Sequence, residues 1–322
     1  MLQTALTRLL GIDHPIIQAG MGADAGPELA AAVSGAGALG TLGSVATPPD
    51  RISANIRRCR DLTGLPFALN LVTFDTAPFR DELLELALLE RVSVVTLSFG
   101  DAARYVARFK HAGALVLVQV QDFPGAVRAI EAQADAVIVQ GNEAGGHTGY
   151  RGTLSLAAQV LDVAGVTPVV VAGGVATGRG LAAALAMGAA GVVMGTRFKA
   201  TVEFAGTQAQ KDAIVSSDGS DTTADLLLDI PATFTWPGNV IGRAMRNRFT
   251  AEWHGREEEL RGLVASQPPA AFLQELAGDP ATALNWAGEA SGLVDAVLPA
   301  ADVVRRTVEE AETLLRAVTT NW

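Results

Sequence analysis

The sequence predicts an α/β fold, a (β/α)8 TIM barrel with an additional mainly helical domain. Three observations carry that prediction. Eight short apolar runs recur between residues 16 and 194; each is nearly continuous in Val, Ile, Leu and Ala; and a helix-length segment separates each run from the next. Continuous apolar runs mark strands buried on both faces, as in a parallel sheet. Eight such strands alternating with helices close into a barrel. A doubly wound open sheet is the alternative, disfavoured because no Gly-x-Gly-x-x-Gly follows the first run.

The elements follow in order. A strand at 16–19 leads to a helix at 27–34, which ends at Ser34-Gly35-Ala36-Gly37 before the strand at 38–42. Glycine there can take the left-handed conformation that closes a helix. A helix at 49–60, a strand at 67–71, a helix at 80–89 and a strand at 92–97 continue the alternation. The helix at 101–111 closes on His111-Ala112-Gly113, and the strand at 115–120 follows. A helix at 122–132 precedes the strand at 136–140, and a helix at 154–164 precedes the strand at 168–172. The helix at 178–187 ends at Met187-Gly188-Ala189, and the strand at 191–194 completes the set.

After Phe198 the rhythm changes. Residues 1–202 and 295–322 are read as the barrel, and 203–294 as a helical second domain that covers the active site. The final helix, about 301–318, carries Val303, Val304, Val308, Ala311, Leu314, Leu315 and Val318 at helical spacing and is expected to pack back on the barrel.

Composition narrows the function. A net charge of −10 and a pI near 4.9 argue against a nucleic-acid surface, which needs clustered cations to displace counterions. No run reaches the roughly 18 apolar residues of a membrane span. The start, Met1 to Arg8, lacks the basic-then-apolar order of a secretory signal, so a cytoplasmic protein is expected. The one cysteine, Cys59, excludes an intramolecular disulfide and a thiolate metal cluster. Its arginine neighbours could lower its pKa, although a passenger thiol on a helix is the simpler reading. No metal site is expected.

The segment from Gly141 to Thr153 is far longer than the roughly 2–6 residues usual between strand and helix in an α/β unit. A loop of that length usually has a function. It holds His147, one of four histidines. In a barrel the active site lies at the C-terminal ends of the strands, which is where this loop begins. Imidazole near its reference pKa of ~6.5 can take a proton at neutral pH, so His147 is the candidate general base, against an alternative of simple loop hydrogen bonding. His14 precedes the first strand on the opposite face, His111 sits at a helix end, and His254 lies among charged residues; these three are read as structural or solvated.

Four amides, Gln18, Asn70, Gln119 and Gln140, fall at strand ends on the same mouth. Buried amides need partners, so they point to a ligand rich in carbonyl and N–H groups, or to satisfaction by neighbouring backbone. The last two strands end in Ala172-Gly173-Gly174-Val175-Ala176-Thr177 and Met194-Gly195-Thr196-Arg197-Phe198. Consecutive glycines let N–H groups face an anion, and a helix beginning near Thr177 adds its positive end. This is the placement of a barrel phosphate site.

At these residues the chain resembles the FMN-dependent nitronate monooxygenases, the 2-nitropropane dioxygenase-like family, over roughly residues 12 to 204. The resemblance rests on Pro15 to Met21, Asn70 in Ala68-Leu69-Asn70-Leu71, Ser98-Phe99-Gly100, Gln119-Val120, the loop from Gln140 to His147, Ala172-Gly173-Gly174 and Met194 to Phe198. It implies an FMN lying against Ala19, Gly20 and Met21. The polar edge of the ring would lie near Asn70, Gln119 and Gln140, and the phosphate on Gly173, Gly174, Gly195 and Thr196. Gly145, Gly146, Ala172 and Met194 would flank the cofactor, and His147 matches the family's catalytic base. The implied reaction is oxidation of alkyl nitronates, and of nitroalkanes after loss of the α-proton, with O2 to carbonyl compounds and nitrite. Nitronate and O2 are then the expected partners, and a homo-oligomer is compatible with the sequence.

Two features depart from the family pattern. Gly20 stands where proline is common, which would alter the loop over the flavin. The segment Phe234-Thr235-Trp236-Pro237-Gly238-Asn239, followed by Arg243, Arg246 and Arg248, is not a recognised family motif. It could roof the site and bind an anion, with a solvated basic helix as the plainer reading. An NAD(P)H-dependent flavin reductase, of quinone or enoyl-acyl-carrier-protein reductase type, is the nearest rival on the same barrel. A phosphate-binding isomerase or lyase without flavin, and a non-catalytic flavin carrier, are the other classes.

Overall fold

A computed structural model describes residues 2–232 and 234–320. The strands in chain order are β1 (Ile16–Gln18), β2 (Gly40–Leu42), β3 (Phe67–Val72), β4 (Val94–Ser98), β5 (Leu115–Val120), β6 (Ala136–Gln140), β7 (Gly146–Thr148), β8 (Val169–Ala172), β9 (Gly191–Met194), β10 (Thr222–Ala224) and β11 (Ile241–Met245). Eight of them form one parallel sheet in the order β1-β9-β8-β6-β5-β4-β3-β2. A parallel bridge between Ile17 and Leu39, with Gln18 N–H donating to the Leu39 carbonyl at 2.9 Å, joins the two edges and makes the barrel. The eight predicted strands are these eight, each within two residues of its expected start.

Side chains alternate across each strand, so every second residue faces the barrel axis. Ile17, Leu39, Ala68, Val94, Leu117, Ile138, Val170 and Val193 pack together there, joined from below by Leu6, Leu10 and Ile12. Leu6 and Leu10 come from a helix at Ala5–Leu10 that the sequence reading did not anticipate, capped reciprocally by Thr4 and Thr7. The Thr4 hydroxyl donates to the Ala190 carbonyl at 2.7 Å, which places this helix over the N-terminal end of the barrel. With that end closed, the opposite mouth is the open one.

The outer shell packs helices on the strands as expected. The final helix, Ala300–Thr320, lies along Gly178–Ala186. A Cβ at Gly178 would stand 2.3 Å from the Thr307 carbonyl oxygen, so the absence of a side chain sets how closely these helices approach. The predicted helix at 101–111 is broken into a 3-10 turn, Ala102–Tyr105, and an α-helix, Val106–His111.

Residues 203–294 contain the helices Gln208–Val215, Arg248–Trp253, Glu257–Ala265 and Pro269–Gly278, but also β10 and β11. β11 pairs antiparallel with β10 on one side and with β7 on the other, with Gly242 opposite His147. Part of the expected 141–153 loop is therefore a strand. Three residues are too few to show a period, and the partner strand lies far along the chain. No helix among the described residues is long and apolar enough to cross a membrane.

Candidate functional site

Residues two beyond the inward-facing core positions point into the mouth. They include Asn70, Gln119 and Gln140, and Ser98 stands two residues further along β4 on the same face. Asn70 Nδ2 donates to Ser98 Oγ at 3.0 Å and to the Thr96 carbonyl at 3.3 Å, which fixes the amide and leaves its oxygen available. Gln140 Oε1 accepts from Gln119 Nε2 at 3.1 Å and from Gln121 Nε2 at 2.9 Å, while its own Nε2 donates to the His147 carbonyl at 3.1 Å. Gln140 thus ties β5 to the His147 strand, and Gln119 keeps its oxygen for a ligand. Gln121 was missed by the sequence reading, although its place two residues after Gln119 puts it on the same face. Gln18, by contrast, is fully buried, with Oε1 accepting from Thr41 N–H at 2.9 Å and Nε2 donating to the Ala19 carbonyl. It joins β1 to β2, and its amide is satisfied by backbone.

The imidazole of His147 sits in an aromatic enclosure. Trp236 stacks on it with ring centroids 3.6 Å apart and planes 13° from parallel, and Trp286 lies 4.9 Å away at 38°. Phe74, Phe99 and Phe234 surround Trp236 at 4.8, 5.0 and 5.8 Å. Aromatic residues are only 5% of the chain, so this cluster concentrates a scarce resource at the mouth. Phe99 reaches it with a φ of 61°, a left-handed conformation that costs a side chain of this size about 1–3 kcal/mol and tends to persist at functional sites. The Thr76 hydroxyl donates to the Thr235 carbonyl at 2.7 Å, pinning the Trp236 segment to the barrel. His147 Nε2 lies 2.6 Å from Asp229 Oδ1, and the two side chains are 12% and 17% exposed.

Gly173 and Gly174 have φ of 104° and 74°, and their N–H groups find no acceptor among the described residues. A Cβ at Gly173 would lie 2.8 Å from Thr153 Oγ1 and 3.1 Å from the Gly141 carbonyl oxygen, so only glycine lets this turn close against the His147 loop. Beside it, Thr196 Oγ1 accepts from Gly288 N–H at 3.0 Å, which leaves its own hydrogen free to donate. Two unpaired N–H groups in left-handed turns and a free hydroxyl fit a phosphate group. The expected contribution from the following helix is not available. Its first N–H, on Gly178, donates to Glu310 at 2.8 Å, so the positive end is already matched by a carboxylate from the last helix.

The other predicted cofactor residues gather around this cradle. A Cβ at Gly195 would touch Ala19 at 3.6 Å and Met21 Sδ at 3.7 Å, and one at Gly20 would lie 2.5 Å from Asn70 Cβ. Glycine at position 20 therefore lets the β1 loop rest directly on Asn70, where a proline ring would collide. Ala172 and Met194 end β8 and β9 within the core, and Met194 accepts the Ala19 N–H through its carbonyl. Gly145 has a second duty: its missing Cβ would lie 2.4 Å from Gly288 N, so the loop packs on the 287–288 backbone. Gly146, with φ of 76°, opens β7.

The basic-helix reading fails at Arg243 and holds at Arg248, which begins the helix Arg248–Trp253. Arg243 lies in β11 and is consumed by the Asn142 carbonyl at 2.9 Å, Thr222 at 3.1 Å and Glu289 at 3.2 Å. Arg246 is exposed, and Arg248 pairs with Asp279 on the surface. Cys59 is fully buried; burial, with Glu28 nearby, pushes its thiol up to about 12, and the opposing pull of Arg60 is weaker. Lys199 is also buried, and desolvation pulls it down to about 8 against the attraction of Asp24. Its amine donates to Asn285 Oδ1 and to the Trp286 carbonyl, each at 2.9 Å, and so holds Trp286 in place. Asp229 and Trp286 were not picked out by sequence, because no motif distinguishes them, whereas Trp236 lies in the 234–239 segment that could roof the site and does stack over His147. A cleft of about 170 Å³ runs beside the amides, lined by Gln119 and Gln121 on the barrel side and by Asn239 and Val240 on the other.

Comparisons with known proteins agree with this architecture. The nitronate monooxygenase family model matches residues 3–83 and 74–310. A Rhodococcus jostii (strain RHA1) protein named (3aS,4S,5R,7aS)-5-hydroxy-7a-methyl-1-oxo-octahydro-1H-indene-4-carboxyl-CoA dehydrogenase is 38% identical over 278 residues, covering 86% of this chain and 75% of that protein. A probable nitronate monooxygenase from Staphylococcus saprophyticus is 31% identical over 342 residues, 91% of this chain and 93% of the other. The structure of nitroalkane oxidase from Streptomyces ansochromogenes superposes with a TM-score of 0.82 at 30% identity, over 98% of this chain and 100% of that one. With its barrel, its glycine cradle and its family match over most of its length, the chain belongs to the nitronate monooxygenase family of flavin-using oxidoreductases.

Proposed function

We propose that the chain is an FMN-dependent nitronate monooxygenase, which oxidises alkyl nitronates, and nitroalkanes after loss of the α-proton, with O2 to a carbonyl compound and nitrite. The observation that carries this reading is the shielded imidazole of His147, stacked under Trp236 at the mouth where Gln119, Gln140 and the glycine cradle converge. Bound FMN would supply the electron transfer from substrate to O2. Gly173, Gly174, Gly195 and Thr196 would hold its phosphate, and Asn70 and Gln119 would meet the polar edge of its ring.

The chain's own residues do the rest. The ring wall of Trp236, Trp286, Phe74 and Phe99 keeps water from the reacting carbon and strengthens charge interactions inside. His147 takes the α-proton of a neutral nitroalkane, whereas a nitronate arrives already deprotonated. His147→Ala is expected to lower nitroalkane turnover by about 10²–10⁴-fold, and nitronate turnover far less, in assays of O2 uptake and nitrite release. Equal loss with both substrates would remove the proton-abstraction role.

A second reading is dehydrogenation of a hydroxylated ring carried on a coenzyme A thioester. It is favoured by the 38% identity to the dehydrogenase of that description, and the aromatic wall would suit an apolar ring. Reduction of the flavin by such a thioester, with no nitrite formed from nitronates, would select it.

A further inference from the structure

We propose that Asp229 is a positioning residue that fixes the tautomer of His147. The carboxylate holds the Nε2–H, so the lone pair of Nδ1 is the atom that receives the substrate proton. The inference rests on the reading of His147 as the base and names the atom that acts.

Among the described residues Asp229 is the one hydrogen-bond partner of the ring. Asp229 Oδ1 is 2.6 Å from His147 Nε2, and neither the carboxylate nor the imidazole has another hydrogen bond among the described residues. An ionised carboxylate only accepts, so the ring nitrogen facing it must donate, and in neutral imidazole the other nitrogen then carries the lone pair. Both side chains are largely shielded, which strengthens the bond over one made in water. The chain's other aspartate–histidine pair shows the contrast: His254 meets Asp225 through Nδ1 at 2.9 Å, and its ring is 74% exposed.

Both partners are delivered by rigid pieces. Asp229 ends a 3-10 turn, Leu226–Asp229, which Asp225 caps by accepting Leu227 N–H at 3.0 Å. Leu227 and Leu228 of that turn are buried in the core of the second segment. His147 is held by β11 and by the two indoles. These parts meet at Gly242, whose absent Cβ would lie 2.9 Å from Trp286 and 3.5 Å from Leu228. In the proposed step the substrate C–H bond breaks, its electron pair moves onto the nitro group, and the proton goes to Nδ1. The imidazolium keeps its Nε2–H donated to Asp229.

The test is 15N NMR of histidine-labelled protein as isolated, with the His147 signals identified by their loss in His147→Gln. The expected wild-type spectrum shows Nε2 protonated and Nδ1 bare. In Asp229→Asn the amide can present N–H to Nε2, so the Nδ1–H tautomer gains population and nitroalkane turnover falls about 10²–10⁴-fold. Nitronate turnover should fall far less than nitroalkane turnover, and Asp229→Glu should recover part of the loss. A wild-type ring protonated on Nδ1, or a tautomer balance that ignores Asp229→Asn, would overturn the proposal. If the tautomer responds as expected while wild-type protein oxidises neither nitro substrate, the Asp229 assignment stands and the nitronate reading falls.

Discussion

His147 gains its chemistry from what surrounds its ring more than from imidazole alone. A stacked indole restricts the ring plane, a carboxylate claims one nitrogen, and Gln140 holds the backbone carbonyl behind it. His147 stood out in sequence because it lay in a long glycine-rich connection after an apolar run. Asp229 did not, because a lone aspartate in a leucine-rich turn carries no signal until the fold brings it 2.6 Å from the ring. Cys59 shows the limit of reading neighbours along the chain. Its flanking arginines stand at successive positions of a helix, but the thiol faces the core, and burial outweighs the charge of Arg60. The folded protein is therefore expected to leave Cys59 unmodified by a thiol-alkylating reagent at neutral pH, with reaction only on unfolding; rapid labelling of native protein would contradict this. The folded thiol ionises above its unfolded counterpart, whose ordinary value is 9.0, so this group makes stability fall as pH rises from about 9 toward about 12.

At the scale of elements, the barrel strands were legible because burial on both faces removes alternation and leaves unbroken apolar runs. β7 was not, since Gly146-His147-Thr148 is too short to show a period, and its existence depends on β11 pairing from elsewhere. The same pairing puts Arg243 in a strand where a basic helix was the plainer reading, and makes it a brace between the Asn142 carbonyl and Glu289. Gly242 is where β11, Trp286 and the Asp229 turn come together. Gly242→Ala would place a methyl 2.9 Å from the Trp286 ring. Overpacking of this kind costs about 1–3 kcal/mol, so urea unfolding should show that loss together with a shift in tryptophan emission. An unchanged midpoint and emission would mean that Trp286 is not held as described.

At the scale of the whole molecule, the barrel contributes the amides and the glycine cradle, while residues 203–294 contribute Asp229, Trp236 and Trp286. The division of labour explains what sequence could and could not reveal. Glycine pairs and amides at strand ends follow from barrel geometry, which a periodic sequence announces. The covering segment has no such period, and its side chains reach the site from turns and connections around a sheet that pairs β11 with β10 and β7. We propose that this segment acts as the substrate-facing half of the site and the barrel as its flavin-facing half. The most direct test is the anaerobic visible spectrum of the FMN-loaded protein, before and after addition of a small alkyl nitronate and, separately, of NADPH or NADH. Loss of the oxidised flavin absorbance with the nitronate and none with either nicotinamide is the predicted result; bleaching by NADPH or NADH alone would contradict it and make the protein a reductase.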